Sequence, residues 1–301
     1  MAKTDDSVEK TPEEQIQEKL RKENEYIIKN KRVRRQSRFR TIIIILLVFL
    51  LIVALLAGAT YAIMQFVDES NFRVTVSHTG TAWLSLSKDY DFTNPTSVLD
   101  VTAPQNMDNC TLCNYLDHKL LDIYNTDGSY KDEGSQEYFI ATSFYLKNTS
   151  NEAVSYREII TLDRSMKGME KAIRVLVIKD IEPPDDDDLG TITVYAAPKE
   201  DGSLEEVVPP GGAMSAYRPR TISDYDGFTI ADEDIREDGV WMTKAFLGNG
   251  YVMNSDFFPL EQDEIIKYTI VIWLEGQDEQ CVDEILGGQV KIAVEFAAES
   301  K

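Results

Sequence analysis

The stretch QVKIAVEF, residues 289–296, decides the fold class, because its apolar residues recur with a period of two. Successive side chains of a β-strand point to opposite faces, so this period predicts a strand with one buried and one solvated face. Such one-sided burial is typical of antiparallel sheets. The side chains expected to face the core are Val290, Ile292, Val294 and Phe296.

The same alternation recurs in the chain before this stretch. Residues 137–162 form two alternating runs separated by the polar turn 148–152. Residues 268–274 are apolar at successive positions, as in a strand at the centre of a sheet. We therefore predict a mainly β domain over 67–301, an antiparallel β-sandwich of the jelly-roll or immunoglobulin-like type. Shorter strands are expected at 72–76, 84–86, 172–178 and 190–197.

Helical patterns are few in this domain. Apolar residues at helical spacing predict a short helix within 109–124, and one or two helical turns are expected in 278–286. Clusters of Pro, Gly and Asp predict loops at 183–190 and 203–226. The helical material is thus expected to decorate the sandwich.

An apolar segment precedes the β domain. No Asp, Glu, Lys or Arg occurs from Thr41 to Val67, and a helix of about 20 apolar residues is long enough to cross a bilayer. Seven of the twelve residues 29–40 are basic, and positive charge next to a span stays cytoplasmic. We therefore predict a transmembrane signal-anchor helix at 41–66, with the N-terminus inside and residues 67–301 outside the cell.

Two fates are open to this helix. Small residues at its end suit a signal peptidase, which would cut after Ala59 or Ala62 and release a secreted domain. The charged segment 1–40 is longer than the start of an ordinary signal sequence, which favours a retained anchor. A helix is predicted over 12–35, where proline and glutamate follow the capping residue Thr11. It is either a stalk whose basic end meets anionic lipid or a docking helix for a cytoplasmic partner.

The charge of the exported part excludes one class of partner. The first 40 residues hold 12 of the 31 Lys and Arg and 8 of the 52 Asp and Glu, which leaves 19 basic and 44 acidic residues, a net charge of −25. Such a domain repels nucleic acid. Membrane lipid around 41–66, and protein partners or sister molecules outside the cell, are the partners expected.

Two stretches carry a resemblance to a known family. GATYA at 58–62, which closes the apolar segment, and the strand–turn–strand pattern of 267–296 resemble the TasA/camelysin-like exported β-sandwich proteins of Gram-positive bacteria. The hairpin 137–162 is similar as well. The resemblance implies a jelly-roll-like sandwich with a role in a biofilm matrix, a fibre or the cell surface. Some relatives are labelled metalloproteases, but no His-Glu-x-x-His occurs here, so that activity is not carried over.

The three cysteines allow several chemistries. CTLCNYLDH at 110–118 places Cys110, Cys113 and His118 at the spacing of three ligands of a zinc knuckle, and Cys281 would complete a four-ligand set if the fold brings it there. Cys110 and Cys113 also have the spacing of a redox pair. Outside the membrane a disulfide among Cys110, Cys113 and Cys281 is favoured, and unpaired structural thiols are a further alternative.

Acidic turns raise the hypothesis of calcium. Residues 224–227 with Glu233 fit part of an EF-hand loop, but Ile222 stands where the first ligand is needed. Residues 125–128 have the same defect. Both are better explained as turns, and 185–188 as an exposed acidic loop.

No catalytic constellation is evident. The chain has two histidines, His78 and His118, and neither Gly-x-Ser-x-Gly nor a phosphate-binding loop occurs. We therefore predict no enzymatic activity and no cofactor. Among the tryptophans, Trp273 is expected in the core and Trp241, beside Gly239, is expected to be exposed.

These observations predict a membrane-anchored extracellular β-sandwich protein with a structural, adhesive or partner-binding role. One alternative is an exported metal-binding or redox enzyme that uses Cys110, Cys113 and His118. A second alternative is a single-pass sensor whose cytoplasmic helix docks a partner.

Overall fold

A computed structural model describes two eleven-residue helical segments near the N-terminus and a large β-rich part. The described residues are 17, 19–29, 44–54, 72–101, 107–112, 119–131, 138–181, 183, 188–207 and 227–300. Two compact units are present, Met1–Asp68 and Glu69–Lys301. Residues 19–29 and 44–54 are helical in the first unit. Within the described ranges no helix is both long and apolar enough to cross a membrane, and the segment predicted to do so, 41–66, is described only at 44–54.

The second unit, called the β unit below, is mainly β, as the sequence predicts. Its helix α1 is Leu120–Tyr124, and short 3-10 turns occur at Met169–Lys171, Asp232–Asp234 and Asp283–Ile285. Its strands are β1 (Phe72–His78), β2 (Leu84–Ser87), β3 (Val98–Val101), β4 (Gly128–Tyr130), β5 (Phe139–Asn148), β6 (Val154–Ser165), β7 (Ile173–Asp180), β8 (Thr191–Ala196), β9 (Thr229–Ile230), β10 (Lys244–Ala245), β11 (Tyr251–Asn254), β12 (Phe258–Leu260), β13 (Ile265–Leu274) and β14 (Val290–Ser300).

The described strands form two sheets. Sheet A has the order β11-β6-β14-β1-β3, and β12 pairs with β6 on the same edge as β11. Sheet B has the order β10-β8-β7-β13-β5-β2, with β4 on the edge of β5 and β9 on the edge of β8. The strand predicted to be central, β13, lies between β5 and β7 and is buried from Ile266 to Leu274, which confirms that prediction.

Both sheets are mixed, so the prediction of a purely antiparallel arrangement is wrong in part. β1 runs parallel to β14, with Val74 opposite Val294, and β8 runs parallel to both β9 and β10. Parallel neighbours need a long connection, whereas a short turn enforces antiparallel pairing. Almost the whole β unit separates β1 from β14, and 32 residues separate β8 from β9, so no turn fixes their direction.

The alternation in β14 is confirmed by its burial. Ile292, Val294, Phe296 and Ala298 are buried, and the residues between them are partly exposed. The buried side chains join one hydrophobic cluster with residues of both sheets. Across it, the Phe296 ring of sheet A lies 4.7 Å from that of Tyr268 and 5.9 Å from that of Phe144, both of sheet B. We call this cluster the inner core.

A second hydrophobic cluster covers the opposite face of sheet B. Alternate residues of the same strands, such as Leu176, Val271 and Trp273, form it together with Leu112 and the helix α1. We call it the outer core. It explains why β13 carries apolar residues toward both of its faces, because both faces are buried.

The directions and registers of the strands define two ends of the β unit. The entry end is the end at which the described part of the β unit begins, with Phe72. The loop 166–172, which connects β6 to β7, and the loop 275–289, which connects β13 to β14, lie at this end. At the far end the turn 149–153 joins β5 to β6. The registers place Val290 and Ser165 together at the entry end, and Ser300 and Val154 together at the far end.

Candidate functional site

Cys110 lies in the outer core beside the end of β13. Its N–H donates to the carbonyl oxygen of Leu274 (3.0 Å), and its carbonyl accepts from the N–H of Gly276 (2.8 Å). A side chain on Gly276 would clash, because a Cβ there would lie 2.5 Å from Oδ1 of Asn109. The helix predicted within 109–124 is therefore wrong at its start. Backbone pairing with β13 holds Cys110 in an extended segment, and the described helix covers only Leu120–Tyr124.

The two described cysteines are free thiols. Burial, and secondly the nearby Glu275 carboxylate, raise the pKa of Cys110. Burial, then the carboxylates of Asp278 and Glu275, raise the pKa of Cys281. Because the thiolate is both the nucleophile and the metal ligand, these environments disfavour redox and zinc chemistry at the two sulfurs.

The rest of the predicted cysteine site falls outside the described residues. This applies to Cys113 and His118, so a zinc set or a disulfide that includes them stays a prediction. The cleavage positions after Ala59 and Ala62 lie outside as well. Among the residues that the structure describes, no three His, Cys, Asp or Glu are grouped as metal ligands.

One of the calcium candidates has the contacts of a turn. Asn125 caps α1 through its N–H, which donates to Leu121 O (2.9 Å), and Gly128 has a φ of 77°. The carboxylate of Asp127 accepts from the Tyr145 hydroxyl at 3.4 Å. The second candidate, 224–227, is described only at Gly227, while Glu233 is paired with Lys244 at 3.3 Å.

The tryptophans differ from one another in their environment. Trp273 is fully buried, as predicted, and its indole N–H donates to Oε2 of Glu275 (3.0 Å). The expected exposure of Trp241 is wrong, because it is 6% exposed and packs in the outer core. Its carbonyl accepts from the Val207 N–H, which ties its loop onto the domain. Trp83 is the exposed one, at 54%.

A buried arginine sits at the entry side of the outer core. Arg174 is fully buried, and its Nη2 lies 2.6 Å from Oδ2 of Asp278 and 3.8 Å from Oε2 of Glu205. Burial raises the pKa of Glu205, and burial also raises the pKa of Glu275. The described neighbours include no activated nucleophile, so this cluster is best explained as a structural lock between β7 and two loops.

A second polar cluster joins the two sheets. We call it the inter-sheet cluster: Tyr156 and Glu158 of β6, Lys179 of β7 and Tyr268 of β13. Oε1 of Glu158 accepts from Nζ of Lys179 (2.5 Å) and from the hydroxyl of Tyr268 (2.7 Å). The two tyrosine oxygens are 3.0 Å apart. Burial lowers the pKa of Lys179, but the Glu158 carboxylate raises it, and the net shift is upward.

A third buried cation lies at the start of β13. Nζ of Lys267 is 3.6 Å from the ring centroid of Tyr124 and 5.4 Å from that of Tyr145. Burial lowers the pKa of Lys267 against the opposing effect of Asp127 and Asp180. The hydroxyl of Tyr124 donates to Asp180 at 2.6 Å. The ammonium is thus held by aromatic faces, a cation–π arrangement.

Sequence reasoning missed these three buried cations, although a signal was present. Arg174 interrupts the apolar run AIRVLVI, and Lys267 opens the equally apolar run of β13. Glu158 stands at an inward position of β6, two residues from Tyr156. A charged residue at a position where the period demands an apolar one indicates a buried pair.

No protein-family model matches the chain, and no curated protein matches it.

The inter-sheet cluster generates a prediction about stability. Removing one charge of a buried pair leaves the other uncompensated, so Glu158→Gln and Lys179→Met should each lower the free energy of unfolding by about 3 kcal/mol. The double variant should lose less than the sum of the two by about 0.5–3 kcal/mol. Chemical unfolding of the four proteins measures this coupling.

The exposed pair Arg73–Asp100 is the matched control, since its atoms are 2.7 Å apart but its side chains are about half exposed. Its coupling should be about 1 kcal/mol or less. Strict additivity at Glu158 and Lys179 would show that the two sheets do not meet through this pair.

The thiol environments predict slow alkylation. In the native chain at pH 8, iodoacetamide should modify Cys110 at least about tenfold more slowly than in the unfolded chain, because its raised pKa keeps it protonated. Cys281, which is partly exposed, should react at an intermediate rate. Peptide mapping by mass spectrometry follows each cysteine separately. Equal rates for Cys110 in the native and unfolded chains would favour the redox alternative.

Proposed function

We propose that this chain is a single-pass membrane protein that displays its β unit outside the cell as a structural, adhesive or partner-binding module. The observation that carries the proposal is the helix at 44–54. From Ile44 to Val53 all of its side chains are large and apolar, and they are 47–67% exposed. Three turns of helix that are apolar all round need an apolar surrounding.

Lipid is the surrounding that this composition favours. The 44–54 helix has no polar face. It therefore differs from an amphipathic helix, which packs one apolar stripe against a protein core. The uncharged sequence extends on both sides of the described helix, from Thr41 to Val67, which supports a span of sufficient length. Basic residues at 29–40 and the acidic residues Asp68 and Glu69 support an N-terminus on the cytoplasmic side.

The β unit suits display outside the cell. It begins at Glu69, directly after the apolar segment, and is compact by itself. Residues of both sheets meet in the inner core, which supports a β-sandwich of the jelly-roll or immunoglobulin-like type. This architecture agrees with the resemblance to TasA/camelysin-like proteins. We therefore propose the matrix or surface role of that family for this chain as well.

Exposed aromatic side chains at the far end support a role in contacts. Trp83, Phe257 and Phe258 are 54%, 44% and 38% exposed. Each packs against a neighbour: the Trp83 ring is 4.3 Å from that of His78, Cζ of Arg157 lies 5.3 Å from the ring centroid of Phe257, and Nζ of Lys179 lies 4.3 Å from that of Phe258. Rigid, exposed aromatic residues are typical anchors of protein interfaces. The far end is also the end opposite to the membrane attachment that we propose.

The topology has a direct test in cells that express the full chain with an N-terminal tag. Protease added to intact cells should digest the β unit and leave a tagged, membrane-bound fragment. Leu47→Arg with Leu51→Arg should move the chain out of the membrane fraction, because each central arginine disfavours insertion by about 2.5–3.5 kcal/mol. Leu47→Ile with Leu51→Ile is the matched control and should behave like the original chain.

The same experiment separates the two fates of the apolar segment. N-terminal sequencing of the cell-associated protein identifies an anchored chain by its original N-terminus, and a processed chain by a start at Thr60 or Ile63. A β unit that resists protease on intact cells but is digested after lysis would overturn the proposal.

Self-association through the far end is a second consequence that can be measured. Cells that display the full chain should clump, and Trp83→Ser with Phe257→Ser should abolish clumping. Leu121→Ser, an exposed apolar position on α1, should leave it unchanged. Because each exported part carries a net charge of −25, clumping should need salt near 0.1 M, where the screening length is about 10 Å. Clumping that survives the far-end substitutions would exclude this surface as the contact.

A further inference from the structure

The entry end of the β unit exposes aliphatic side chains from separate loops. Met166 follows β6, Leu247 follows β10, and Val282 and Leu286 flank the 3-10 turn between β13 and β14. Each of the four is at least 42% exposed, and Leu286 reaches 67%. We call these four residues the entry-end patch. It contrasts with the aromatic far end.

The loops that carry the patch are fixed to one another. The N–H of Met166 donates to the carbonyl oxygen of Gln289 (2.9 Å), and the Lys167 ammonium donates to the carbonyl oxygen of Leu286. Lys167 and Gly168 both have positive φ angles, 61° and 74°, which make the tight turn that presents Met166. These hydrogen bonds fix the loop that carries Met166 to the loop that carries Leu286.

The sequence limits how far this end can move from the apolar segment. Val67 is the last residue of the uncharged stretch and Phe72 begins β1. Five residue steps span at most about 18 Å when fully extended. Phe72 lies at the entry end, because β1 runs parallel to β14 and pairs Arg73 with Ala293 near the start of that strand. A bilayer that holds the apolar segment is thus within reach of the entry end.

We propose that the entry-end patch docks onto the outer leaflet of the membrane, with its aliphatic side chains between the lipid headgroups. This proposal rests on the anchored topology proposed above. Aliphatic side chains at a loop tip lie at the boundary of headgroups and acyl chains, about 5–10 Å deep, where burial removes their apolar surface from water. The short connection alone would let the β unit tumble, and the patch gives it a fixed orientation, with the aromatic far end outward.

Charge alone would not produce this contact. The exported part carries a net charge of −25 and is repelled by anionic headgroups. Close to the patch, the Lys167 ammonium donates to the carbonyl oxygen of Leu286 and that of Lys171 lies 3.8 Å from Oε1 of Glu200, while Asp283 and Glu284 lie between Val282 and Leu286. These lysines are already engaged within the protein, so apolar burial has to supply the interaction.

Tryptophan reporters in the full chain test the proposal. The chain is reconstituted in phosphatidylcholine vesicles, with or without lipid brominated on the acyl chains close to the headgroup, which quenches nearby tryptophan. The original chain gives the background emission of Trp83, Trp241 and Trp273. Above that background, the emission added by Leu286→Trp should be shifted to the blue and be quenched in brominated vesicles. Ile181 is an aliphatic residue at the far end and is 56% exposed. Ile181→Trp is therefore the matched control, and its emission should be unaffected. Phe49→Trp, in the apolar helix, reports insertion of the anchor.

The three reporters separate this proposal from the anchored topology. Quenching of Phe49→Trp and Leu286→Trp, but not of Ile181→Trp, supports docking through the entry end. Quenching of Phe49→Trp alone would overturn docking and leave the anchor in place. Equal quenching of Leu286→Trp and Ile181→Trp would mean that the β unit lies on its side, which also overturns docking. No quenching at Phe49→Trp would overturn the anchored topology itself.

Discussion

The contact of Tyr268 across the two sheets is the constraint on which the rest of the β unit depends. Its ring lies against Phe296 of the opposite sheet, while its hydroxyl donates to Glu158. A buried carboxylate is tolerated only when it is paired and hydrogen-bonded, so Lys179 must accompany Glu158. Tyr268 therefore has to pack its ring in the inner core and donate its hydroxyl to Glu158 at the same time. This double requirement fixes which residues of the two sheets face each other.

The parallel pairing of β1 with β14 has consequences beyond the sheet itself. It places the first strand of the β unit between β14 and β3, so Phe72–His78 forms an internal strand of the sheet. One edge of sheet A is then the four-residue β3, and the other consists of the four-residue β11 and of β12, which carries Pro259. Short edges and proline discourage further strand pairing. Contacts through side chains at the two ends are accordingly favoured over extension of the sheet.

The strands of the β unit were predictable, because apolar and polar residues alternate along any strand that has one solvent-exposed face. The 268–274 run also revealed its central place through apolar residues on both sides. Parallel pairing was not predictable, since it depends on where distant segments meet and on no local turn. The helix expected within 109–124 does not begin at Asn109 for a related reason: tertiary hydrogen bonds hold Cys110 in an extended segment, whereas Leu120–Tyr124 is helical. Trp241 looked like a loop residue beside Gly239, but its loop folds back onto the outer core.

The polar clusters show what a sequence alone conceals about charge. Arg174, Lys179 and Lys267 are three of the few cations of a strongly acidic domain, yet they lie in its interior or at its boundary. They neutralise buried carboxylates, as Arg174 does for Asp278, and so they do little to offset the acidic surface. The outer surface repels a second copy of itself at long range. Association with lipid or with protein is then favoured where apolar side chains replace carboxylates, as they do at the entry end and at the far end of the described β unit.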